Sequence, residues 1–344
     1  MKHKLFNYLF TLAIIAVTIY ILASSTELGI IPVLIKITDL KFLCGGFICM
    51  LLYWLSDMLI IKTLFSFAQT RQSYLSSFKL TMIGQYYNLI TPFASGGQPA
   101  QILTMTNNLK LSVGLATSLT ISKFLIYHIV ITIFPLFMLI LKPSLILEQT
   151  VIGRTIIFVG MIVNLFGLLL IIGLCFNSKI VYRIVLLIVT ILQKFKLAKN
   201  IQAADISHHI NVYKTSLNNF LANKKILILV SGFCLVQVTA YFSVTYFVYL
   251  SLGLSQASLL DILAIQSLLY TAINTIPTPG NVGSSEGLFY LVFGIVFPSK
   301  LIIYAIILWR LIIYYFNLAV TGLFVLFNHL YLRFITNRQG NLAK

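Results

Sequence analysis

The sequence predicts an all-α polytopic membrane protein of about six full spans plus two re-entrant helical hairpins in an inverted repeat. Three observations predict it. The 344 residues are 59% hydrophobic and only 9% charged, with a mean hydropathy of +0.99, a composition that places the chain in lipid. Apolar runs long enough to cross a hydrocarbon core of about 30 Å recur from end to end. Two runs are interrupted alike: Thr91-Pro92-Phe93-Ala94-Ser95-Gly96-Gly97 and Thr278-Pro279-Gly280-Asn281-Val282-Gly283 both read T-P-x-x-x-G. Proline and glycine free backbone groups from a helix, and in a membrane such groups must be buried in protein or line a wet cavity.

Each element follows in order. Lys2-His3-Lys4 precedes an apolar run, Leu5–Ala23, which reads as a retained first span rather than a signal peptide because it is long enough to cross and further spans follow. Phe42–Ile61 is the second span and 62–79 a polar connection. Leu80–Ile90 enters, breaks at Thr91–Gly97 and leaves through Gln98–Met105. Arms of about 10 residues make about 15 Å of helix, which reaches only the midplane. Val113–Leu141, carrying Lys123 and His128, and Val151–Leu174 are full spans. A basic connector over about 176–225 holds an apolar stretch, Ile180–Leu192. Beyond it Ile206, Ile210, Tyr213, Leu217, Phe220 and Leu221 recur at helical spacing with Lys214 opposite, an amphipathic surface helix. Ile226–Leu252 spans, Leu259–Ile276 enters, 277–283 breaks, Ser285–Phe297 returns, and Leu301–Phe327 is the last span before a basic tail.

The net charge of +17 does not point to nucleic acid, because the basic residues sit between apolar spans, as in cytoplasmic loops of membrane proteins. With the N-terminus inside and both hairpins re-entrant, seventeen Lys and Arg face the cytoplasm and five face outward, leaving Lys123 and Arg310 within spans. The same arrangement puts both termini on the cytoplasmic side of the plasma membrane. The hairpins then enter from opposite sides, and units of about 42–141 and 226–327 become inverted repeats within a single 1–344 domain.

The candidate site lies at the breaks. Paired interrupted segments in two halves of a chain point to a transport site. A shift of 187 residues lays Pro92 on Pro279, Gly96 on Gly283, Lys123 on Arg310 and Tyr127 on Tyr314. Helices resuming near Pro99 and Ser285 would aim their N-termini at the bilayer centre, where free N–H groups and the helix dipole suit a lipid phosphate. Lys123 and Arg310 lie too deep to snorkel and each requires a partner or a ligand. Glu286 is the acid expected for Arg310. Pro99 occupies the corresponding place in the first unit, so Lys123 is expected to be the freer cation, with pairing to Asp57 or Asp261 as the alternative. The substrate-binding set is Asn88, Thr91, Pro92, Gly96, Gly97, Gln98, Lys123, Asn274, Thr278, Pro279, Gly280, Gly283, Glu286 and Arg310.

Other chemistries find little footing. Gly283-Ser284-Ser285-Glu286-Gly287 fits G-x-S-x-G, but a nucleophile elbow needs a preceding strand, and Ser284 and Ser285 read better as caps. Cys44, Cys49, Cys175 and Cys234 lie in apolar runs without a C-x-x-C. No catalytic residue, metal site or cofactor is expected, and no phosphate-binding loop is present to couple a nucleotide.

Gln85-x-x-Asn88-x-x-Thr91-Pro92 with Gly96-Gly97 resembles the first signature of the lysylphosphatidylglycerol synthase transmembrane-region family, also called flippase-like integral membrane proteins. Pro277-Thr278-Pro279-Gly280-x-x-Gly283-x-x-Glu286-Gly287 resembles the second, and Trp309-Arg310 with Gly322 resembles the last helix. The similarity covers about 5–327. The resemblance implies a flippase fold acting on phospholipids or lipid-linked precursors. In fused members this region accompanies a cytosolic aminoacyl-transferase, and together they confer resistance to cationic antimicrobial peptides. This chain reads as a stand-alone member without that domain, so a membrane component serving a separate soluble aminoacyl- or glycosyl-transferase is the alternative to a lipid transporter. A membrane-embedded transferase and a homodimer are further readings. Where the family often carries an acidic-basic pair after the first hairpin, this chain has Ser122-Lys123.

Overall fold

The computed structural model describes residues 36, 38–194, 203–273, 276, 278 and 280–342. The expected first span, Leu5–Ala23, lies outside them, as do the site candidates Asn274 and Pro279. The described residues form helices and connecting turns, with no strand among them.

Polar side chains start the long helices at the positions that leave backbone N–H groups without partners. Asp39 caps α1 (Leu40–Phe67), accepting from the Lys41 N–H. Ser73 caps α2 (Tyr74–Ile90), and α3 follows as Gly97–Asn107. Ser112 caps α4 (Val113–Leu141), which carries Pro135 within it. A single turn, α5 (Ser144–Leu147), leads to α6 (Val151–Phe176), capped by Thr150. The connector folds into α7 (Ser178–Lys194) and α8 (Ala203–Ala222). Asn223 then caps α9 (Lys224–Ser251). The second half continues with α10 (Leu259–Ile273), α11 (Ser284–Phe293) and α12 (Ser299–Arg310). A π-helical segment, Leu311–Phe316, joins α12 to α13 (Asn317–Leu342).

Among the described residues five stretches are long and apolar enough to cross a membrane: α1, α4, α6, α9 and 299–330. The hairpin arms α2, α3, α10 and α11 have 17, 11, 15 and 10 residues. At 1.5 Å per residue even α2 measures about 25 Å, short of the hydrocarbon core. It is longer than the sequence suggested, because its first turns, from Tyr74, are too polar to read as membrane.

The helices α1 and α9 run side by side. Glycine permits this approach: a Cβ on Gly45 would overlap the Phe247 ring. Around that pair the contacts cross between halves, with α2 against α13 and α10 against α4. Helix α6 lies on α10 through Gly160, where a Cβ would come 2.8 Å from the Ala272 Cα. One core joins Trp54, Tyr249, Phe289, Phe293 and Trp309. A second joins Ile60, Leu64, Leu119, Leu217 and Phe220, so the amphipathic helix α8 docks its apolar side on α4 while Lys214 stays exposed. The outer side of α6 leaves Phe158, Ile162, Phe166 and Leu169 uncovered. Such a surface suits lipid and would aggregate in water.

Candidate functional site

The first break is closed by its own side chains. Thr91 Oγ1 donates to the Tyr87 carbonyl at 2.7 Å and accepts from the Gly96 N–H at 2.9 Å. Asn88 Oδ1 accepts from the Gly97 N–H at 2.8 Å. The Pro92 carbonyl accepts from Ser95 Oγ at 2.9 Å. These bonds return the chain into α3, and Gln101 ties the arms together by donating Nε2 to the Leu80 carbonyl at 3.0 Å. These bonds take up the Gly96 and Gly97 N–H groups, and Pro99 has none, so the start of α3 offers an anion fewer free donors than the sequence suggested.

The second break is held by charge. Arg310 Nε lies 2.7 Å from Glu286 Oε1, Nη1 donates to the Gly280 carbonyl at 3.3 Å, and the guanidinium stacks 4.4 Å above the Tyr314 ring. Glu286 Oε2 accepts from the Gly283 N–H at 2.7 Å and from Ser285 Oγ at 2.9 Å. Thr278 and Ser284 share a hydroxyl contact at 3.0 Å. Ser284 and Ser285 thus serve the turn into α11, and the element before that turn is helix α10, not the strand of a nucleophile elbow. Gly280 has φ +59, and a Cβ there would overlap the Tyr314 ring and sit 2.9 Å from the Leu89 carbonyl. The two broken segments meet through that glycine.

Between the breaks lies a cavity of about 430 Å³. The α2–α3 hairpin lines it with Gln85, Asn88, Gly97 and Gln98, and the second break with Gly280 and Asn281. Lys123 reaches into it from α4 and meets Asp57 of α1, with Nζ 2.7 Å from Oδ1 and 3.0 Å from Oδ2. Asp57 is 1% exposed. It also accepts from Thr81 Oγ1 at 2.8 Å and from Gln237 Nε2 at 3.1 Å, so one carboxylate joins α1, α2, α4 and α9. This overturns the expectation that Lys123 lacks an acid and is the freer cation. Two further spans can reach the same point from other parts of the chain, and α1 supplies the carboxylate that position 122 does not. Asp261 pairs with Lys142 instead, at 2.9 Å.

Of the expected site residues, Asn88, Gly97, Gln98, Lys123 and Gly280 line the cavity. Thr91, Pro92 and Gly96 shape the first turn. Thr278, Gly283, Glu286 and Arg310 build the second and do not line the cavity. Asp57, offered only as an alternative partner of Lys123, is in its walls, and the residues missed there are Tyr53, Tyr127, Asn164, Gln237, Tyr241, Tyr270 and Asn317. Carboxamides inside apolar spans were the available signal for three of them, since polar groups at membrane depth face a partner or a cavity.

No curated protein matches the chain. The family model described as the lysylphosphatidylglycerol synthase TM region matches residues 8–321. That match runs through both breaks, both buried cations and every wall of the cavity, and the chain belongs to the lysylphosphatidylglycerol synthase transmembrane-region family.

Proposed function

We propose that this membrane protein moves a phospholipid or a lipid-linked precursor across the bacterial plasma membrane, with the headgroup passing through the central cavity. The observation that carries the reading is the cavity itself: a polar chamber walled by both broken segments and by α1, α4 and α9. Irregular backbone at membrane depth is tolerated where it lines such a space, and binding at the meeting of two repeats is how alternating-access transporters are built. The crossed packing of α2 with α13 and of α10 with α4 supports units 42–141 and 226–327 as inverted repeats. The count of basic residues supports cytoplasmic termini and a cytoplasmic connector. Family membership favours lysylphosphatidylglycerol handling as the setting.

The test is reconstitution in liposomes with fluorescent phosphatidylglycerol or lysylphosphatidylglycerol in one leaflet. The expected result is faster leaflet exchange of at least one lipid than in protein-free liposomes, abolished by Gly96→Leu. A leucine at Gly96 must displace Thr91 and the Tyr87 carbonyl, which a Cβ would meet at 2.6 to 2.9 Å. Exchange that ignores Gly96→Leu in a folded protein refutes passage through this cavity.

A further inference from the structure

We infer that the space between α4, α6, α7 and α8 is a second lipid site, apart from the central cavity, which takes one acyl chain of an anionic phospholipid from the leaflet facing the connector.

The space measures about 680 Å³. Its walls include Ile121 of α4, Ile171 and Leu174 of α6, Val185 of α7 and Ile210 of α8. Among the described residues that line it, only Thr117, His209 and Tyr213 bring a side-chain nitrogen or oxygen. An apolar cavity of about 150 Å³ already stays dry and takes up a hydrocarbon ligand. Left empty, a larger one forfeits dispersion contacts along every wall. For a chain surrounded by lipid, the hydrocarbon at hand is an acyl chain.

The dimensions fit one leaflet. On α4 the lining runs through Val113, Thr117, Ile121 and Phe124, one face of a helix by spacing. At 1.5 Å per residue that stripe is about 16 Å long, about half of a hydrocarbon core of 30 Å. It begins at the start of α4, beside the connector, and ends at Phe124, which also lines the central cavity. A chain held here therefore stops where the polar chamber begins.

Helix α7 decides which lipid it is. Val181, Ile184, Val185 and Val189 line the space, whereas Lys179 and Arg183 fall on the opposite side of the helix and are exposed. A helix divided in this way lies in the interface, with its apolar side down and its basic side among the headgroups. Over 176–225 eight Lys or Arg stand against Asp205 alone, and basic residues at that level attract anionic headgroups. The lipid keeps its ordinary orientation: the phosphate stays beside α7, and one chain passes beneath the helix toward Phe124.

The test is photolabelling of the full chain in phosphatidylcholine nanodiscs. The probe is phosphatidylglycerol with a diazirine at the end of one acyl chain, and adducts are located by peptide mass spectrometry. The expected result is labelling at Ile121 and Ile171, which line this space and not the central cavity. It should exceed labelling by phosphatidylcholine with the same chain about tenfold. Lys179→Gln with Arg183→Gln should erase that preference. Val185→Trp, which fills the space from α7, should remove both adducts. Those on the outer side of α6, at Phe158, Ile162 and Phe166, should remain, which shows the variant folded in the bilayer. Labelling confined to the outer side of α6 overturns the inference. So does equal labelling of Ile121 and Ile171 by the two probes, and so do adducts there that ignore Val185→Trp. Leaflet exchange does not enter the result, so this site and the proposed transport stand or fall separately.

Discussion

Lys123 and Arg310 stand 187 positions apart, each on the span that follows a broken segment, and each meets a carboxylate at 2.7 Å. There the likeness ends. The acid for Arg310 comes from the first turn of α11, just after the break, and the pair fastens α11 to α12 outside the cavity lining. A π-helical turn begins immediately after Arg310 and places Tyr314 under the guanidinium. The acid for Lys123 comes from a distant span, and the pair stands in the cavity wall with two other helices, α2 and α9, bonded to it. One unit uses its cation to hold a turn. The other holds its turn with Asn88 and Thr91, which leaves its charged pair in the chamber. The proposed inverted repeat permits this division, because two copies of one scaffold need only one functional lining.

The largest effect should follow Arg310→Met. Removing one partner of a buried pair strands the other, at about 3–5 kcal/mol, and Glu286 is held where it is by Gly283 and Ser285. Thermal unfolding in detergent should show a marked loss, and an unaltered unfolding curve would break the assignment of this pair to structure. Lys123→Met should cost less, about 2–3 kcal/mol, since Asp57 keeps the Thr81 and Gln237 donors. The double variants sharpen the contrast. Lys123→Met with Asp57→Leu removes both buried charges and should regain most of the lost stability while abolishing leaflet exchange. Arg310→Met with Glu286→Leu should regain little, because the Gly283 N–H also loses its acceptor.

The turns themselves differ in the same way. At Gly97 a Cβ would overlap the Asn88 carboxamide and lie 2.6 Å from the Gly84 carbonyl. Gly97→Ala should therefore cost about 1–3 kcal/mol through forced displacement of backbone, measured in the same unfolding experiment. Gly173 in α6 has nothing within 4 Å of its virtual Cβ. Gly173→Ala should be neutral or slightly stabilising, since alanine is the better helix former by up to about 1 kcal/mol.

What the sequence disclosed divides along physical lines. Composition and periodicity placed the five described spans, the two breaks and the amphipathic α8, because these are local signals that survive without tertiary knowledge. Glu286 was readable as the partner of Arg310 because both lie in one unit. Asp57 entered only as an alternative partner for Lys123, because it lies 66 residues earlier, on α1, and spacing within one helix says nothing about which helix comes alongside. The tyrosine wall was invisible for a related reason: Tyr53, Tyr127, Tyr241 and Tyr270 sit in four apolar helices, where tyrosine reads as ordinary packing. The π turn has no sequence signature that periodicity would reveal.

The smallest expected effect comes from the third acid-base pair, and it tests whether depth is what distinguishes the other two. Lys142 and Asp261 meet at 2.9 Å where the end of α4 passes the start of α10, with side chains 34% and 21% exposed. Asp261 also accepts from the Ser258 N–H at 2.9 Å and the Ser258 hydroxyl at 2.6 Å. Asp261→Asn keeps one acceptor oxygen for those bonds and removes only the ionic part. Solvent screens a partly exposed pair, so the cost should stay below about 1 kcal/mol and shrink further between 0.1 M and 1 M salt, at about 10 Å and 3 Å of Debye length. A loss as large as that of Lys123→Met would mean that the hairpin entrance carries stability which the comparison assigns to the buried pairs. A small, salt-sensitive loss would leave burial, rather than the mere presence of opposite charges, as what separates a structural or cavity-lining pair from one at the rim.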